Sequence, residues 1–165
     1  MNRVQRDIYC GGPPTIYQRV AAILAPALLL GLLVYLAAIY RTLPEEFPTH
    51  YTFSGEVDGY GSRAVVWLTP ILGVFMDLTM WIVGLFPQSW NSGARITPFN
   101  RTRMFRLMRD LMADLRLTMA GMWIVLSLFT VHGWWRRGGL YILGIFILIF
   151  APLVRYFLRV YIIKR

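Results

Sequence analysis

The chain has 165 residues, of which 57% are hydrophobic and only 15% are charged, and its formal net charge is +9. Soluble globular domains carry about 25% charged and about 45–50% apolar residues, so this composition excludes an ordinary soluble domain and predicts an integral membrane protein. The basic excess does not predict nucleic-acid binding, because apolar runs interrupt it instead of leaving it on one domain.

Four apolar runs are long enough to cross a bilayer as helices, which takes about 20 residues each. The first follows Arg3, Arg6 and Arg19, as a secretory signal would, but its apolar core exceeds the roughly 7–15 residues of a signal peptide. We therefore interpret it as an anchor that stays in the membrane. The predicted fold is all-α: one membrane domain, residues 1–165, with four transmembrane helices at about residues 20–40, 64–86, 117–135 and 138–160.

The basic residues predict the orientation, because Lys and Arg beside membrane spans stay on the cytoplasmic side. Loop 41–63 has only Arg41 and Arg63, and the turn after the third span has only Arg136 and Arg137. The other basic residues lie in the N-terminal segment, the connector after the second span and the C-terminal tail. Both termini and the connector are thus predicted to be cytoplasmic, with loop 41–63 outside. The single cysteine, Cys10, would be a cytoplasmic free thiol.

Loop 41–63 carries more chemistry than a connector needs, with an imidazole, four carboxylates and three glycines. Residues Thr49 to Phe53 alternate as a strand would, Ser54 and Gly55 can form a turn, and a second segment starts at Val57. The pattern predicts a short extracytoplasmic cap, shaped like a hairpin, that brings together His50, Glu56 and Asp58.

Three interpretations of this loop stay open. In the first, His50 hydrogen-bonds a carboxylate and only fixes the cap. In the second, His50 and nearby carboxylates bind a metal ion, although zinc sites normally use more nitrogen or sulfur ligands. In the third, Ser54 or Ser62 joins His50 and Asp58 as a hydrolase, but no nucleophile-elbow pattern accompanies them. A calcium loop is excluded, because Trp67 occupies the position of the bidentate carboxylate.

An acidic residue, Asp77, falls near the middle of the second apolar run, where an ionised Asp costs about 2.5–3.5 kcal/mol. It should face the interior of the bundle. It is either a proton or cation site, a polar link between helices, or a residue lying shallower than the run suggests. Its candidate partners are Thr79, Thr118, Ser127, Thr130 and His132.

The connector and helix at residues 87–116 are predicted to lie on the cytoplasmic side. Residues 87–95 have turn composition, and Trp90 suits the membrane interface. Asn100 can cap a following helix with an apolar stripe and basic residues on its other faces. This is a basic amphipathic helix, predicted to lie on the inner leaflet. Its basic residues include Arg103, Arg106 and Arg109.

Two stretches of the sequence resemble a known family. The first contains Leu43–Pro44, Pro48–Thr49–His50, Gly55–Glu56 and Asp58–Gly59–Tyr60–Gly61–Ser62, and the second contains Ile96–Thr97, Asn100, Arg103 and Phe105–Arg106–Leu107. Because of these two stretches, the chain from about Ile23 onward resembles a bacterial membrane domain of unknown function. That domain is found at the N-terminus of immunity proteins against the sporulation-delaying toxin. That family commonly has Lys in place of Arg63, and its immunity members continue into a second membrane domain.

The resemblance implies a location in the bacterial inner membrane and a recognition role for the loop. The residues it assigns to recognition are Pro48, His50, Gly55, Glu56, Asp58, Gly59, Tyr60, Ser62 and Arg63.

The favoured function is non-enzymatic recognition of an extracytoplasmic peptide or envelope component, as in immunity, resistance to antimicrobial peptides or signalling. The first alternative is a small transporter, or a subunit of one, that uses Asp77, and the second is a membrane enzyme at the outer interface. No cofactor and no metal are predicted. The expected partners are the lipid bilayer, an extracytoplasmic peptide, and a second copy or another membrane protein, but not nucleic acid.

Overall fold

A computed structural model describes residues 11–52, 54, 56–134 and 140–164. Several residues discussed above lie outside these ranges, namely Arg3, Arg6, Cys10, Phe53, Gly55, Arg136 and Arg137. The junction between the predicted third and fourth spans also lies outside them.

Four long helices and one β-hairpin make up the described fold. The helices are α1 (Ile16–Ile39), α2 (Leu68–Gly84), α3 (Arg101–His132) and α4 (Leu140–Lys164). The hairpin consists of β1 (Glu46–Tyr51) and β2 (Val57–Ser62), and it connects α1 to α2.

Three helical segments among the described residues are long and apolar enough to cross a membrane: Ile16–Thr42, Arg63–Gly84 and Arg101–His132. These three segments confirm one part of the predicted fold, which is a mostly helical chain with helices suited to a membrane. The crossing of a membrane by α4 stays a prediction.

Side-chain contacts along α3 give the direction of α2. The hydroxyls of Thr69 and Ser127 lie 2.8 Å apart, and Asp77 binds Arg116. The contacts thus move toward the start of α3 as the chain advances along α2, and the two helices are antiparallel.

Similar contacts give the directions of the other helices. Gln18 of α1 donates a hydrogen bond to Asp110, and Tyr35 of α1 contacts His132, so α1 is parallel to α3. Arg155 of α4 lies 3.4 Å from Asp114, and Arg159 lies 3.8 Å from Asp110, so α4 is antiparallel to α3. The bundle thus has a basic end, where α1 and α3 begin and α2 and α4 end, and a hairpin end.

The contact of α1, α2 and α3 depends on small residues. Ala25 and Ala120 are fully buried together with Leu29. Gly73 of α2 lies so close to Trp123 that an added Cβ would stand 2.9 Å from Trp123 Cγ and 3.0 Å from a methyl group of Leu29. The absence of a side chain at Gly73 therefore sets the closest approach between α2 and α3.

The structure corrects the predicted division between an amphipathic surface helix and a third span. Residues Arg101–His132 form one uninterrupted helix. The apolar stripe that includes Phe105 and Met108 is buried against Tyr156 and Val160 of α4 instead of facing a lipid surface. The sequence could not indicate this, because an apolar stripe suits a neighbouring helix as well as a bilayer.

Candidate functional site

The hairpin between α1 and α2 is closed by hydrogen bonds around one threonine. The backbone N–H of Thr52 donates to the carbonyl of Glu56 at 2.8 Å, and the Thr52 hydroxyl accepts from the Glu56 N–H at 3.1 Å. The same hydroxyl lies 2.8 Å from that of Ser54. Ser54, the described residue of the predicted turn, lies between the two strands, and β1 begins at Glu46, three residues before the predicted strand.

Irregular pairing of the two strands brings His50 to Asp58. The strands are antiparallel, with Pro48 opposite Tyr60, but the register shifts on both sides of His50. Such bulges turn a side chain away from its regular direction. His50 Nδ1 thereby lies 2.5 Å from Asp58 Oδ1, so the predicted contact of these two residues is present. The predicted third member, Glu56, contacts Thr52 through its backbone and is exposed.

Two glycines of β2 make room for the side chains of β1. A Cβ at Gly61 would lie 2.8 Å from the methyl group of Thr49. A Cβ at Gly59 would lie 3.1 Å from the Cβ of His50. Any larger residue at Gly61 would displace Thr49. These glycines therefore determine the shape of the hairpin surface.

One face of the hairpin presents polar and aromatic side chains to the surroundings. Tyr60 is 64% exposed, and the side chains of His50 and Asp58 are 73% and 42% exposed. Along β2 the exposed positions alternate with half-buried ones, so Asp58, Tyr60 and Ser62 share one face. Pro48, opposite Tyr60, is half-buried. This arrangement is that of a contact surface with an aromatic centre and a charged neighbour.

The base of the hairpin is fixed to the bundle. Phe47 of β1 is buried, and the guanidinium of Arg63 lies 5.0 Å from the centre of the Tyr40 ring. Tyr40 also packs against Trp67, with ring centres 5.6 Å apart, and the Arg63 N–H donates to the Glu45 carbonyl. Arg63, predicted to act in recognition, thus lies at the base of the hairpin as a cation–π contact.

Asp77 forms an ion pair with Arg116, which is not among its predicted partners. Arg116 donates from Nε to one Asp77 oxygen at 2.7 Å and from Nη2 to the other at 2.8 Å. Both side chains are about nine-tenths buried. By its position in the sequence, Arg116 falls among the basic residues that are predicted to be cytoplasmic.

None of the predicted partners of Asp77 contacts it within the described part of the chain. Ser127 pairs with Thr69, and His132 pairs with Tyr35. The hydroxyls of Thr79, Thr118 and Thr130 each donate to a backbone carbonyl four residues earlier in their own helix.

The ion pair lies near the middle of both helices. Asp77 is nine residues from the start of α2 at Leu68 and seven from its end at Gly84. Arg116 is fifteen residues from the start of α3 at Arg101 and sixteen from its end at His132. Of the interpretations considered for Asp77, a polar link between helices describes this contact.

A second polar cluster joins α1, α3 and α4 at the basic end. Asp114 accepts a hydrogen bond from Tyr17 and faces Arg155. One turn earlier, Asp110 accepts from Gln18 and lies 3.8 Å from Arg159. No local pattern in the sequence indicates this cluster, because its members come from three distant segments.

The predicted residues of the basic helix have separate structural roles. Arg106 donates to the Gly11 carbonyl at 3.2 Å and Arg109 to the Gly12 carbonyl at 2.8 Å, so both fix the segment before α1. Arg103 is exposed. Asn100 precedes α3 as predicted, but it makes no capping bond; its Oδ1 instead accepts from the Thr97 N–H.

Two cavities adjoin the ion pair between α1 and α2. The first, about 480 Å³, lies at the basic end, and its lining includes Arg19, Arg109 and Trp90. The second, about 560 Å³, is apolar except for Asp77 and Arg116. Ala22, Trp81 and Arg116 line both cavities, so the two adjoin each other.

His50 and Asp58 supply two potential metal ligands. Over the described ranges, no group of three or more His, Cys, Asp or Glu side chains is placed to hold a metal ion.

Comparison with known families gives one match. The family model of a domain of unknown function, DUF1648, matches residues 27–74, from α1 through the hairpin into α2. The match confirms in part the predicted resemblance to a membrane domain of unknown function. The matched residues end before Asp77. No curated protein and no solved structure matches the chain.

Proposed function

We propose that this protein recognises an extracytoplasmic peptide or envelope component through the exposed face of its hairpin. The observation that carries the proposal is the combination of an exposed Tyr60, an exposed His50–Asp58 pair and a buried anchor at Phe47. An exposed tyrosine beside charged groups is typical of residues that dominate binding interfaces. A hairpin that served only to connect α1 to α2 would need none of these side chains.

The backbone of the hairpin supports the same proposal. The sheet has two strands in the described structure, so the outer edge of each strand has no neighbouring strand. An extended peptide can add to such an edge through main-chain hydrogen bonds, while neighbouring side chains select its sequence. A peptide ligand therefore suits this surface better than a small metabolite would.

The proposed topology presents the hairpin outside the cell. Basic residues beside α1, α2 and α3 concentrate at the basic end, which favours a cytoplasmic location of that end. With α4, a 25-residue helix antiparallel to α3, as the fourth span, both termini would be cytoplasmic. The location would be the bacterial inner membrane.

The matched domain has no known function. The resemblance of the sequence to a domain of toxin-immunity proteins supports a role in immunity to an antimicrobial peptide, or in signalling of its presence, over the transport of nutrients. A second copy or another membrane protein would then receive the signal.

Complementation of a deletion strain under envelope-peptide stress tests the proposal. Tyr60→Ala and Asp58→Asn should each remove resistance, because they alter the exposed face without touching the buried anchor. Glu45→Gln is the matched control, since it removes an exposed carboxylate just before β1 and should complement fully. Full complementation by both hairpin variants, at wild-type membrane levels, would refute the proposal.

Transport is the second candidate function. The observation in its favour is the buried Asp77–Arg116 pair beside two cavities. A variant that removes both charges, Asp77→Asn with Arg116→Gln, distinguishes the two functions. Recognition predicts that this variant complements, whereas transport predicts that it fails at normal protein levels while the hairpin variants complement.

A further inference from the structure

The segment before α1, residues 11–14, lies against the start of α3 as a strap. Gly11 and Gly12 have φ values of 64° and 95°, a backbone conformation that suits glycine. The guanidinium groups of Arg106 and Arg109 donate to the carbonyls of these two glycines. A Cβ at Gly11 would stand 2.6 Å from a backbone carbonyl oxygen of α3 and 2.8 Å from the Arg106 backbone nitrogen. The strap therefore contacts the backbone of α3 directly and needs glycine to do so.

The strap borders the cavity at the basic end. Pro14, its last residue, lines this cavity, and so does Arg109, which binds the strap. Leu85 and Trp90, which follow α2 in the chain, also contribute to the lining. Farther into the bundle the same cavity reaches Arg116 of the ion pair. A solute that enters from the basic end therefore passes beside the strap before it reaches the pair.

Arg116 has a hydrogen-bond donor that the cavities can reach. Its Nε and Nη2 donate to Asp77, and its Nη1 donates to no described residue. Among the described residues, the only fully enclosed side-chain nitrogen or oxygen without a hydrogen bond is Trp123 Nε1. Arg116 Nη1 is therefore accessible, through the cavities that Arg116 lines. An unpaired donor within a membrane is costly, and water that enters the cavity would give Nη1 an acceptor.

We infer that the strap is a gate between the basic end and the Asp77–Arg116 pair. When it is docked on α3, the strap limits the access of water and small polar solutes to the pair, and its release opens the cavity to them. The position of the strap beside the cavity and its hydrogen bonds to two arginine side chains carry this inference. Residues 11–14 belong to no helix or strand, so they can open locally while the bundle stays folded.

The inference goes beyond the proposed recognition function and does not depend on the ligand of the hairpin. It concerns the access of solutes to the ion pair, and it applies whether the pair only links helices or also takes part in transport.

Cysteine labelling of the full-length protein in lipid nanodiscs tests the inference, because lipids cover the sides of the bundle and both ends stay open to solvent. In a Cys10→Ser background, the reporter Ala113→Cys replaces a residue that is 7% exposed and lines the cavity. The rate at which a charged methanethiosulfonate labels this reporter measures access to the cavity. The variant Arg106→Gln removes one bond to the strap at a residue that lines neither cavity. It should raise the labelling rate about tenfold, the factor that loss of one hydrogen bond to a charged group supplies.

The matched control for this variant is Arg103→Gln. Arg103 is an exposed arginine of the same helix that lines neither cavity and makes no hydrogen bond to the strap. Its removal changes the net charge equally and should leave the labelling rate of Ala113→Cys unchanged. Equal rates in Arg106→Gln and Arg103→Gln would overturn the inference.

A second pair of variants changes the strap itself. Gly11→Ala places a methyl group against the backbone of α3 and should displace the strap, with a similar increase in labelling. The control Gly133→Ala introduces the same strain, since Gly133 has a φ of 65°, but no atom lies within 4 Å of its added Cβ. It should leave the labelling rate unchanged, and an unchanged rate in Gly11→Ala as well would contradict the gate.

A further reporter distinguishes opening of the strap from general loosening of the bundle. Ala120 is 1% exposed, packs with Ala25 and Leu29, and lines neither cavity. Ala120→Cys should stay unlabelled in both strap variants. Labelling of Ala120→Cys as fast as that of Ala113→Cys would show that the variants loosen the whole bundle, and it would overturn the inference.

Discussion

Asp77 and Arg116 join α2 to α3 through two parallel hydrogen bonds in the buried interior of the bundle. The pair satisfies an acidic residue that, alone, would be costly inside a membrane. The pairing also buries Arg116 between the helices, whereas arginines of the connector are exposed. Asp77 therefore functions first as a link between helices, and a substitution there alters folding as well as any transport.

Removal of one member of this pair should destabilise the protein strongly. Asp77→Asn or Arg116→Gln leaves the other residue as a buried charge without its partner, at a cost of about 3–5 kcal/mol. Replacing both, as in Asp77→Leu/Arg116→Met, should cost less than either single change, because no charge stays buried. Thermal unfolding in detergent measures the order. Single variants that unfold at the wild-type temperature would show that the pair does not stabilise the fold.

The close approach of α2 to α3 predicts a second stability effect. Gly73→Ala places a methyl group within 3.0 Å of Trp123 and Leu29 and should cost about 1–3 kcal/mol by overpacking. Gly84→Ala is the matched control in the same helix, since no atom lies within 4 Å of its added Cβ. It should be neutral or slightly stabilising. The same thermal measurement applies, and equal behaviour of the two variants would contradict the packing described.

The hairpin pair should show weak but measurable coupling. His50→Ala and Asp58→Ala each remove the same contact, so the double variant should lose less than the sum of the single losses. Because both side chains are substantially exposed, the coupling should not exceed about 1 kcal/mol. Hydrogen exchange of the hairpin amides measures the opening free energies. Strictly additive losses would show that the two residues do not interact in solution.

The hairpin could be predicted from the sequence because its contacts are local. His50 and Asp58 are only eight residues apart, and the alternation of the strand and the glycines of β2 were visible in the loop. Glu56 could not be excluded from the cluster, because the bulges that set the direction of each side chain depend on the register of the pairing.

The interior of the bundle could not be predicted in the same way. Arg116 is 39 residues from Asp77, and grouping the arginines by loop hid it among the cytoplasmic charges. The antiparallel arrangement of α2 and α3 would have indicated it, since residues early in α3 must lie beside residues late in α2. Likewise, Asp110 and Asp114 made α3 look like a surface helix, because the arginines of α4 that face them lie 49 and 41 residues away in the sequence.

Cysteine labelling of intact cells shows on which side of the membrane the hairpin lies. In a Cys10→Ser background, Ser54→Cys lies in the exposed turn of the hairpin, and Phe99→Cys lies at a fully exposed position at the basic end. With the hairpin outside, an impermeant maleimide should label Ser54→Cys on intact cells and should label Phe99→Cys only after permeabilisation. Labelling of Phe99→Cys alone on intact cells would place the hairpin in the cytoplasm and contradict the proposed function.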